Sequence, residues 1–316
     1  MLKDIAYYKT GGSCETLHLP ESIEQLSEIV KNLHENSTPY FVIGGGTNSL
    51  VLDEHYPGDV IAFIKMKTIK VDGSQVFVEA GAENTATSLA AYEAGLEGIS
   101  WMNRLPGQIG GTVRMNAKCY GGEISQVVDE VQVVTKTGEI KTYQNDGSLF
   151  TGYKDTVFMN NGDIIASATI QLEAGDSASI KEHMDHCERD RNSKGQFIYP
   201  SCGCVFKNDY SVGVPSGMLL DAAGAHSLNK NSVALNPKHA NFVFNKGAGS
   251  DEILEMTFNM RELVFRTFGV WLNYEMEILG KLTPPQMVKV NEFKKHRFNE
   301  KMLAPLRKAF QENARS

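Results

Sequence analysis

Apolar residues between positions 20 and 36 recur at the spacing of an amphipathic helix. The stripe consists of Ile23, Leu26, Ile29, Val30 and Leu33. Because residues three and four apart lie on one face of an α-helix, this stripe would face a core. Ser22 and Gln25 stand three residues apart at its start, which is the spacing of a capping box. The pattern therefore predicts a helix over 20–36.

A short apolar run at 40–43 predicts a buried strand. Gly44, Gly45 and Gly46 follow it directly, and a second strand is expected at 59–64. Since glycine has no Cβ, the backbone N–H groups of this turn can approach an anion closely. The turn has neither the Lys-Ser/Thr of a P-loop nor the spacing Gly-x-Gly-x-x-Gly. It suits the pyrophosphate of a bound dinucleotide, although a glycine run is also typical of an ordinary turn.

The pattern changes to alternation after Ile69. An Asp-Gly pair at 72–73 and a Thr-Gly pair at 137–138 each separate two alternating runs, as the turns of β-hairpins do. A short alanine-rich helix is expected at 85–94 and a further strand at 164–172. Hairpins mixed with short helices predict an α+β fold rather than a doubly wound parallel sheet.

Two longer helices are expected in the last part of the chain. One is polar and covers 177–191, and the other begins at Ser250, carries an apolar stripe and ends at Gly269. Residues 271–279 predict a final strand. Residues 281–316 are polar and basic with a Pro-Pro break, which predicts a helical extension or a tail.

Length and composition are those of an ordinary globular protein. The chain has 316 residues, of which 41% are hydrophobic and 22% charged, and its net charge is −7. No long basic run occurs, so nucleic acid is not an expected partner. Without an apolar leader or a run of about 18 apolar residues, neither a signal peptide nor a membrane span is expected. The five cysteines suggest no disulfide framework, and reduced thiols in the cytoplasm are the expectation.

Two further segments carry glycine-rich motifs. Residues 104–123 read Arg-Leu-Pro-Gly-Gln-Ile-Gly-Gly-Thr-Val-Arg-Met-Asn-Ala-Lys-Cys-Tyr-Gly-Gly-Glu, and residues 199–208 read Tyr-Pro-Ser-Cys-Gly-Cys-Val-Phe-Lys-Asn. Together with residues 41–53 they resemble the UDP-N-acetylenolpyruvoylglucosamine reductase family, the MurB flavoenzymes of peptidoglycan synthesis. The resemblance extends over residues 5–280.

The resemblance implies a PCMH/vanillyl-alcohol-oxidase-type FAD-binding domain, built from two α+β subdomains, followed by a C-terminal α+β substrate domain. The expected boundaries are 1–66 for FAD-binding subdomain 1, 67–175 for FAD-binding subdomain 2, 176–280 for the substrate-binding domain and 281–316 for the C-terminal extension. No long insertion lies between Leu172 and Gln196, so the chain resembles the subclass of the family without the extra tyrosine loop.

The resemblance also implies a reaction. It is the NADPH-dependent, FAD-mediated reduction of UDP-N-acetylglucosamine enolpyruvate to UDP-N-acetylmuramate, a step of peptidoglycan and hence cell-wall synthesis. FAD and NADPH would be the cofactors, and small molecules rather than nucleic acid or membrane would be the partners. Two alternatives stay open: an FAD-dependent reductase of the same fold with another sugar nucleotide or acid as substrate, and a non-catalytic flavin-binding module.

The resemblance assigns cofactor contacts to the glycine turn, to the motif at 104–123 (the second motif) and to one strand position. The expected FAD-binding residues are Gly44, Gly45, Gly46, Thr47, Asn48, Ser49, Gly107, Gly110, Gly111, Arg114, Asn116 and Ile165.

Cys204 stands where the family usually has a serine that donates a proton to the substrate. A thiol, with an unperturbed pKa of about 8.5, gives up a proton more readily than an alcohol. A nearby cation such as Lys207 would instead favour the thiolate, which has no proton to donate. Without the resemblance, Cys204 is typical of a buried structural cysteine.

Two further catalytic residues follow from the resemblance. Glu275 aligns with the family's catalytic glutamate, and Lys154 aligns with an arginine that stabilises the enolate form of the substrate. Lysine keeps the positive charge of arginine but lacks its planar, bidentate donor geometry. The expected substrate contacts are Tyr153, Lys194, Lys207 and Asn208, with Arg191 as a further candidate for a phosphate or carboxylate.

A thiol redox pair at Cys202 and Cys204 is one alternative use of these residues, and a zinc site is another. His183, His186 and Cys187 have the spacing of one helical face, and Cys202 and Cys204 could add thiolates. Because their spacing matches no common structural zinc pattern, we expect no metal.

Overall fold

The structure is a computed structural model of the chain and describes residues 1–313. The helices are α1 Ile23–Glu35, α2 Asn84–Glu93, α3 Ile109–Arg114, α4 Ser177–Ser193, α5 Ser216–Ala222, α6 Ser250–Phe268, α7 Pro284–Val290 and α8 Glu300–Asn313. The strands are β1 Leu17–His18, β2 Tyr40–Ile43, β3 Ser49–Val51, β4 Asp59–Ala62, β5 Ile69–Asp72, β6 Gln75–Glu79, β7 Leu96–Glu97, β8 Lys118–Cys119, β9 Gly122–Glu123, β10 Val128–Val134, β11 Ile140–Gln144, β12 Ile164–Gln171, β13 Glu173–Ala174, β14 Val233–Asn236, β15 His239–Asn245 and β16 Glu277–Leu279. Within the described part of the chain, no helix combines the length and apolar character that crossing a membrane requires.

The chain divides into two compact units, each assembled from separate stretches of sequence. The sheet unit contains Cys14–Gly45 and Tyr56–Ser193. The C-terminal unit contains Met1–Ser13, Gly46–His55 and the chain from Lys194 onward. The glycine turn is thus cut by the division, with Gly45 in one unit and Gly46 in the other. Both units mix helices and strands, as the α+β prediction requires.

Two sheets build the sheet unit. Strands β1, β4 and β2 form a parallel sheet, in which β4 is central. Strands β11, β10, β12, β6 and β5 form an antiparallel sheet in that order. The predicted turn at 72–73 is confirmed, since Asp72 pairs with Gln75 and Gly73 has a φ of 57°. Glycine tolerates this left-handed conformation without a steric penalty.

Helix α1 confirms the first pattern in the sequence. The Oγ of Ser22 accepts a hydrogen bond from the backbone N–H of Gln25 at 3.2 Å, which caps the helix as predicted. Leu26, Val30 and Leu33 from the predicted stripe are buried in the core of the sheet unit. The helix therefore forms because the cap satisfies a backbone N–H at its start and its apolar face is buried in the core.

The C-terminal unit contains the antiparallel pair β14–β15, the long helix α6 and the parallel pair β3–β16. Helix α6 ends at Gly269, with a φ of 68°, as the sequence predicts. The predicted strand over 271–279 is wrong in extent, since only β16 is a strand. The residues before β16 do not extend the β3–β16 ladder, because their backbone groups form hydrogen bonds with residues 205–207 instead.

The extension after residue 280 is folded, and Arg261 of α6 anchors it. The Arg261 side chain is buried and donates hydrogen bonds to the carbonyls of Leu272 at 3.0 Å, Lys289 at 3.1 Å and Glu292 at 2.8 Å. Its guanidinium carbon lies 4.2 Å from the centre of the Trp271 ring. One cation therefore ties the extension to the residues that precede β16.

We predict that Arg261→Met lowers the free energy of unfolding by about 3 kcal/mol, because three carbonyls lose a charged donor. Urea unfolding followed by circular dichroism measures this change. Arg266→Met is the matched control on the same helix, since the Arg266 side chain is 78% exposed. Its distance of 4.0 Å to a Glu262 oxygen is at the upper limit for an ion pair. The control should differ from wild type by less than about 0.5 kcal/mol. Equal unfolding midpoints for the two variants would contradict the anchoring by Arg261.

Candidate active site

In the sheet unit, two predicted site segments are joined by side-chain hydrogen bonds. The Oγ1 of Thr156, which is fully buried, donates to the carbonyl of Arg114 at 2.7 Å. The Nδ2 of Asn116 donates to the carbonyl of Gly152 at 3.1 Å. These contacts bring the C-terminal end of α3 and the segment with Tyr153 and Lys154 together.

Lys154 has a backbone conformation that is unusual for a residue with a side chain. Its φ is 54°, in the left-handed region. The surrounding turn holds it there: the N–H of Asp155 donates to the carbonyl of Gly152 at 3.3 Å, and the Oγ1 of Thr151 donates to the Asp155 carboxylate at 2.5 Å. Strained residues of this kind concentrate at functional sites, where the fold fixes a side-chain direction.

The glycines of the sheet unit differ in what surrounds them. A Cβ on Gly44 would lie 2.8 Å from the Oε1 of Gln108, and one on Gly110 would lie 2.9 Å from the Cβ of Ala80. The contact at position 110 is with a methyl group fixed to the backbone, so this position requires glycine for close packing. A Cβ on Gly111 would meet no atom within 4 Å. Gly111, at the start of α3, thus has open space beside its backbone.

Buried acceptors in the same unit fit FAD. Among residues 1–313, the Oε1 of Gln108 and the Oδ1 of Asn116 are buried side-chain oxygens with no hydrogen-bond partner. The Gln108 amide is fixed by a hydrogen bond from its Nε2 to the carbonyl of Phe63 at 3.0 Å. A buried acceptor needs a donor, and FAD has imide N–H, amino and hydroxyl donors. Ile165, by contrast, lies in β12 with its side chain 5% exposed, inside the apolar core.

Arg191 is a buried cation beneath the second motif. Its Nη2 lies 3.3 Å from the Sγ of Cys119, and its guanidinium carbon lies 4.8 Å from the centre of the Tyr120 ring. The Tyr120 hydroxyl donates to the Asp190 carboxylate at 2.6 Å. Burial raises the pKa of the Cys119 thiol, although the positive charges of Arg191 and Lys154 act against this increase. Cys119 is therefore kept as a neutral thiol near two cations.

The histidines with helical spacing have protein partners. The Nδ1 of His183 lies 2.7 Å from the Oγ of Ser100, and the His186 ring packs edge-on against Tyr120 at 6.0 Å between centres. In the part of the chain that the structure describes, no three His, Cys, Asp or Glu side chains are grouped to hold a metal ion.

In the C-terminal unit, the chain at Cys204 runs beside the chain at Glu275. The carbonyl of Val205 accepts hydrogen bonds from the N–H of Glu275 at 2.9 Å and of Met276 at 3.2 Å. The N–H of Lys207 donates to the carbonyl of Asn273 at 2.8 Å. Two predicted catalytic residues that are far apart in sequence are thus on adjacent backbone segments, and both side chains are half-buried.

Asn241 holds the Cys204 segment from its other side. Its Oδ1 accepts from the N–H of Phe206 at 3.0 Å, and its Nδ2 donates to the carbonyl of Phe206 at 2.8 Å. Cys204 also forms an isolated bridge with Phe242. Sequence reasoning missed this function of Asn241. An asparagine between apolar residues of a strand is the signal that could have indicated it.

Asn48 of the glycine turn contacts the same region. Its Nδ2 donates to the carbonyl of Glu275 at 3.0 Å, and its backbone carbonyl accepts from the N–H of Glu277 at 2.9 Å. Ser49, which follows it, pairs with Glu277 in the parallel β3–β16 ladder. The predicted cofactor residue Asn48 therefore also orients the backbone of the predicted catalytic Glu275.

The three predicted substrate contacts in this unit each take part in a hydrogen bond between a side chain and a backbone group. The Oδ1 of Asn208 accepts from the N–H of Ser216 at 2.9 Å, and the carbonyl of Lys207 accepts from the Oγ of Ser216 at 2.6 Å. The carbonyl of Lys194 accepts from the Nδ2 of Asn236 at 2.8 Å. Burial lowers the pKa of the nearby His239, and the Lys194 charge lowers it further.

We predict that Asn241→Ala destabilises the protein by about 2–4 kcal/mol, since both backbone groups of Phe206 lose their buried partner. Guanidinium unfolding at neutral pH measures the change. Asn36→Ala, at an exposed position after α1, is the control and should cost less than about 0.5 kcal/mol. If Asn241→Ala unfolds with the wild-type midpoint, the Phe206 contacts do not stabilise this segment.

Two family models match the chain. The model of an FAD binding domain matches residues 15–144. The model described as UDP-N-acetylenolpyruvoylglucosamine reductase, C-terminal domain, matches residues 195–279. The second match covers Cys204, Asn241 and Glu275.

Curated relatives and a solved structure match most of the chain. The UDP-N-acetylenolpyruvoylglucosamine reductase of Pediococcus pentosaceus is 37% identical over 274 residues, which cover 86% of this chain and 90% of the relative. The reductase of Lactobacillus johnsonii is 37% identical over 283 residues, which cover 89% and 93%. The crystal structure of the UDP-N-acetylenolpyruvylglucosamine reductase (MurB) from Thermus caldophilus matches with a TM-score of 0.73 and 29% identity, and covers 88% of this chain and 97% of that one.

Proposed function

This chain belongs to the UDP-N-acetylenolpyruvoylglucosamine reductase family, and we propose that it reduces UDP-N-acetylglucosamine enolpyruvate to UDP-N-acetylmuramate with FAD and NADPH. The observation that carries the proposal is the 37% identity to a curated reductase over 86% of the chain. The pairing of the Cys204 segment with the Glu275 segment supports it, because it brings an acid and a carboxyl group onto neighbouring backbone.

FAD, when bound, supplies the hydride carrier between NADPH and the substrate. We assign its binding to the glycine turn, to the second motif and to the buried oxygens of Gln108 and Asn116. The backbone at Gly111, beside which space is open, would allow a pyrophosphate to approach closely. Arg114 adds a positive charge at the end of α3.

Cys204 is the proposed proton donor. Hydride addition to the terminal methylene carbon of the enolpyruvyl group leaves negative charge on the neighbouring carbon and its carboxylate. The Sγ of Cys204 delivers a proton to that neighbouring carbon, which completes the reduction. A positioned acid of this kind accelerates such a step by about 10²–10⁴-fold.

Lys154 and Glu275 are assigned to the carboxylate of the substrate. The positive charge of Lys154 offsets the negative charge that develops there, and the carboxyl group of Glu275 is the proposed second contact to this end of the substrate. The strained backbone of Lys154 supports this role, since it restricts where the side chain can point. Tyr153, Lys194, Lys207 and Asn208 are the proposed contacts to the rest of the substrate.

The test uses the purified protein under anaerobic conditions. NADPH should bleach the visible flavin absorbance, and UDP-N-acetylglucosamine enolpyruvate should then restore it. Bleaching without restoration would reject this substrate. It would favour the second candidate, a reductase of the same fold that acts on another sugar nucleotide or acid. Cys204 and Lys154, which stand where the family usually has serine and arginine, are the observation that favours that candidate.

We predict that Cys204→Ala leaves flavin reduction by NADPH nearly unchanged but slows reoxidation by the substrate by about 10²–10⁴-fold. Stopped-flow absorbance measures the two half-reactions separately. Cys204→Ser is the matched control and should retain much of the reoxidation rate, because a hydroxyl replaces the thiol. An equal loss in both half-reactions would refute proton donation by Cys204.

The reaction should tolerate another cationic side chain at position 154 but not an apolar one. We expect Lys154→Arg to keep appreciable activity, since it keeps the charge and gains a second donor. Lys154→Met, of similar length, should slow flavin reoxidation by about 10²–10³-fold. The same stopped-flow assay measures both variants. A methionine variant with the wild-type rate would remove Lys154 from the mechanism.

We also propose that the protein acts in the cytoplasm, in peptidoglycan precursor synthesis and thus in the maintenance of cell shape. The proposal is supported by the small, highly charged substrates, UDP-sugar and NADPH, which the reaction takes. It requires no nucleic acid and no membrane as a partner.

A further inference from the structure

Cys202 and Cys204 are separated by a single glycine in the C-terminal unit. Two residues of extended chain span at most about 7 Å, which is near the upper limit for the Cα atoms of a disulfide. Gly203 has a φ of 76°, so the chain bends between the two cysteines and shortens that span. A Cβ on Gly203 would meet no atom within 4 Å, so the bend has room to adjust. The backbone therefore places the two cysteines within reach of each other.

The two thiols differ in environment. The Cys202 side chain is 2% exposed, whereas Cys204 is half-buried. Burial raises the pKa of the Cys202 thiol, and negative charge on Cys204 or Glu275 would raise it further. Cys202 is therefore a protonated thiol at neutral pH, and Cys204 is the more accessible of the two. This is the arrangement of an attacking cysteine with a resolving cysteine beside it.

We propose that Cys202 and Cys204 are a modification site, at which a hydroperoxide converts the two thiols into a reversible disulfide. The Cys204 thiol ionises, and its thiolate attacks hydrogen peroxide, takes one OH group and becomes a sulfenic acid. The other oxygen leaves as hydroxide, which takes up the proton that Cys204 released and becomes water. Cys202 then gives up its proton as its sulfur attacks the Cys204 sulfur, an S–S bond forms and the S–O bond breaks. The sulfenic oxygen leaves as a second water with the Cys202 proton. Two thiols are oxidised and one peroxide is reduced.

The disulfide has a consequence for catalysis that rests on the proposed function. With its sulfur in an S–S bond, Cys204 has no proton to deliver to the substrate. The bond also prevents oxidation of Cys204 beyond the sulfenic acid, which thiols do not reverse. A serine at position 204 could supply the proton but could not form this bond.

The test measures mass, independently of activity. Full-length protein is treated with hydrogen peroxide at neutral pH, alkylated with iodoacetamide and digested with trypsin. Residues 195–207 form one tryptic peptide that contains Cys202 and Cys204 and no other cysteine. After peroxide treatment, this peptide should carry no alkyl group. Its mass should be lower by two hydrogen atoms than the mass of the reduced peptide without alkylation. Dithiothreitol before alkylation should return the doubly alkylated form.

Two variants at Cys202 test whether this residue protects Cys204 from further oxidation. In Cys202→Ala, and equally in Cys202→Ser, peroxide should convert Cys204 to sulfinic or sulfonic acid, which dithiothreitol does not reverse. Cys14→Ser, which changes a cysteine of the sheet unit, is the control and should behave like wild type. The wild-type peptide tests the proposal even if a Cys202 variant does not fold.

Three outcomes would overturn the disulfide. The wild-type peptide could keep two alkylated thiols, it could carry added oxygen as fast as the Cys202 variants do, or Cys202 could pair with another peptide. The proposed reductase function fails separately: a disulfide that forms in a protein without substrate-dependent flavin reoxidation leaves the modification site standing. Conversely, an active enzyme without the disulfide would reject only the modification site.

Discussion

The two hydrogen bonds between the Asn241 side chain and the backbone of Phe206 are the constraint on which the candidate site of the C-terminal unit depends. Residues 204–207 are not part of a regular strand, so no sheet ladder fixes their position. They are held by Asn241 on one side and by the backbone of residues 273–276 on the other. Cys204 and Glu275 acquire a defined separation because both edges of this segment are occupied.

A second level of support comes from farther along the chain. Arg261 donates to the carbonyl of Leu272 and stacks on Tyr274, and Tyr274 in turn stacks on Phe206 at 5.2 Å between ring centres. Arg261 also holds the extension through the carbonyls of Lys289 and Glu292. The extension, which lies beyond the family-model match, is thus packed against the residues that carry the site.

Local patterns were sufficient to predict much of the fold. The helix α1, the turn at Gly73 and the end of α6 at Gly269 each depend on neighbours in sequence, such as a cap or a glycine that takes a positive φ. The strand predicted over 271–279 failed because alternation cannot show which backbone will supply the hydrogen bonds. The contacts of Asn241 and Asn48 were missed for the same reason, since their partners are more than thirty residues away. The family resemblance supplied residue roles that no local pattern contains.

The division of the chain has a consequence for dissecting this protein. The polypeptide passes between the units after Ser13, Gly45, His55 and Ser193, so neither unit corresponds to one continuous fragment. A fragment limited to 195–279, the range of the second family model, would lack β3 and would leave one edge of β16 without its partner. Unpaired strand edges promote aggregation. A spliced gene that joins 1–13, 46–55 and the residues from 194 onward through short linkers is therefore the rational form in which to express the C-terminal unit alone.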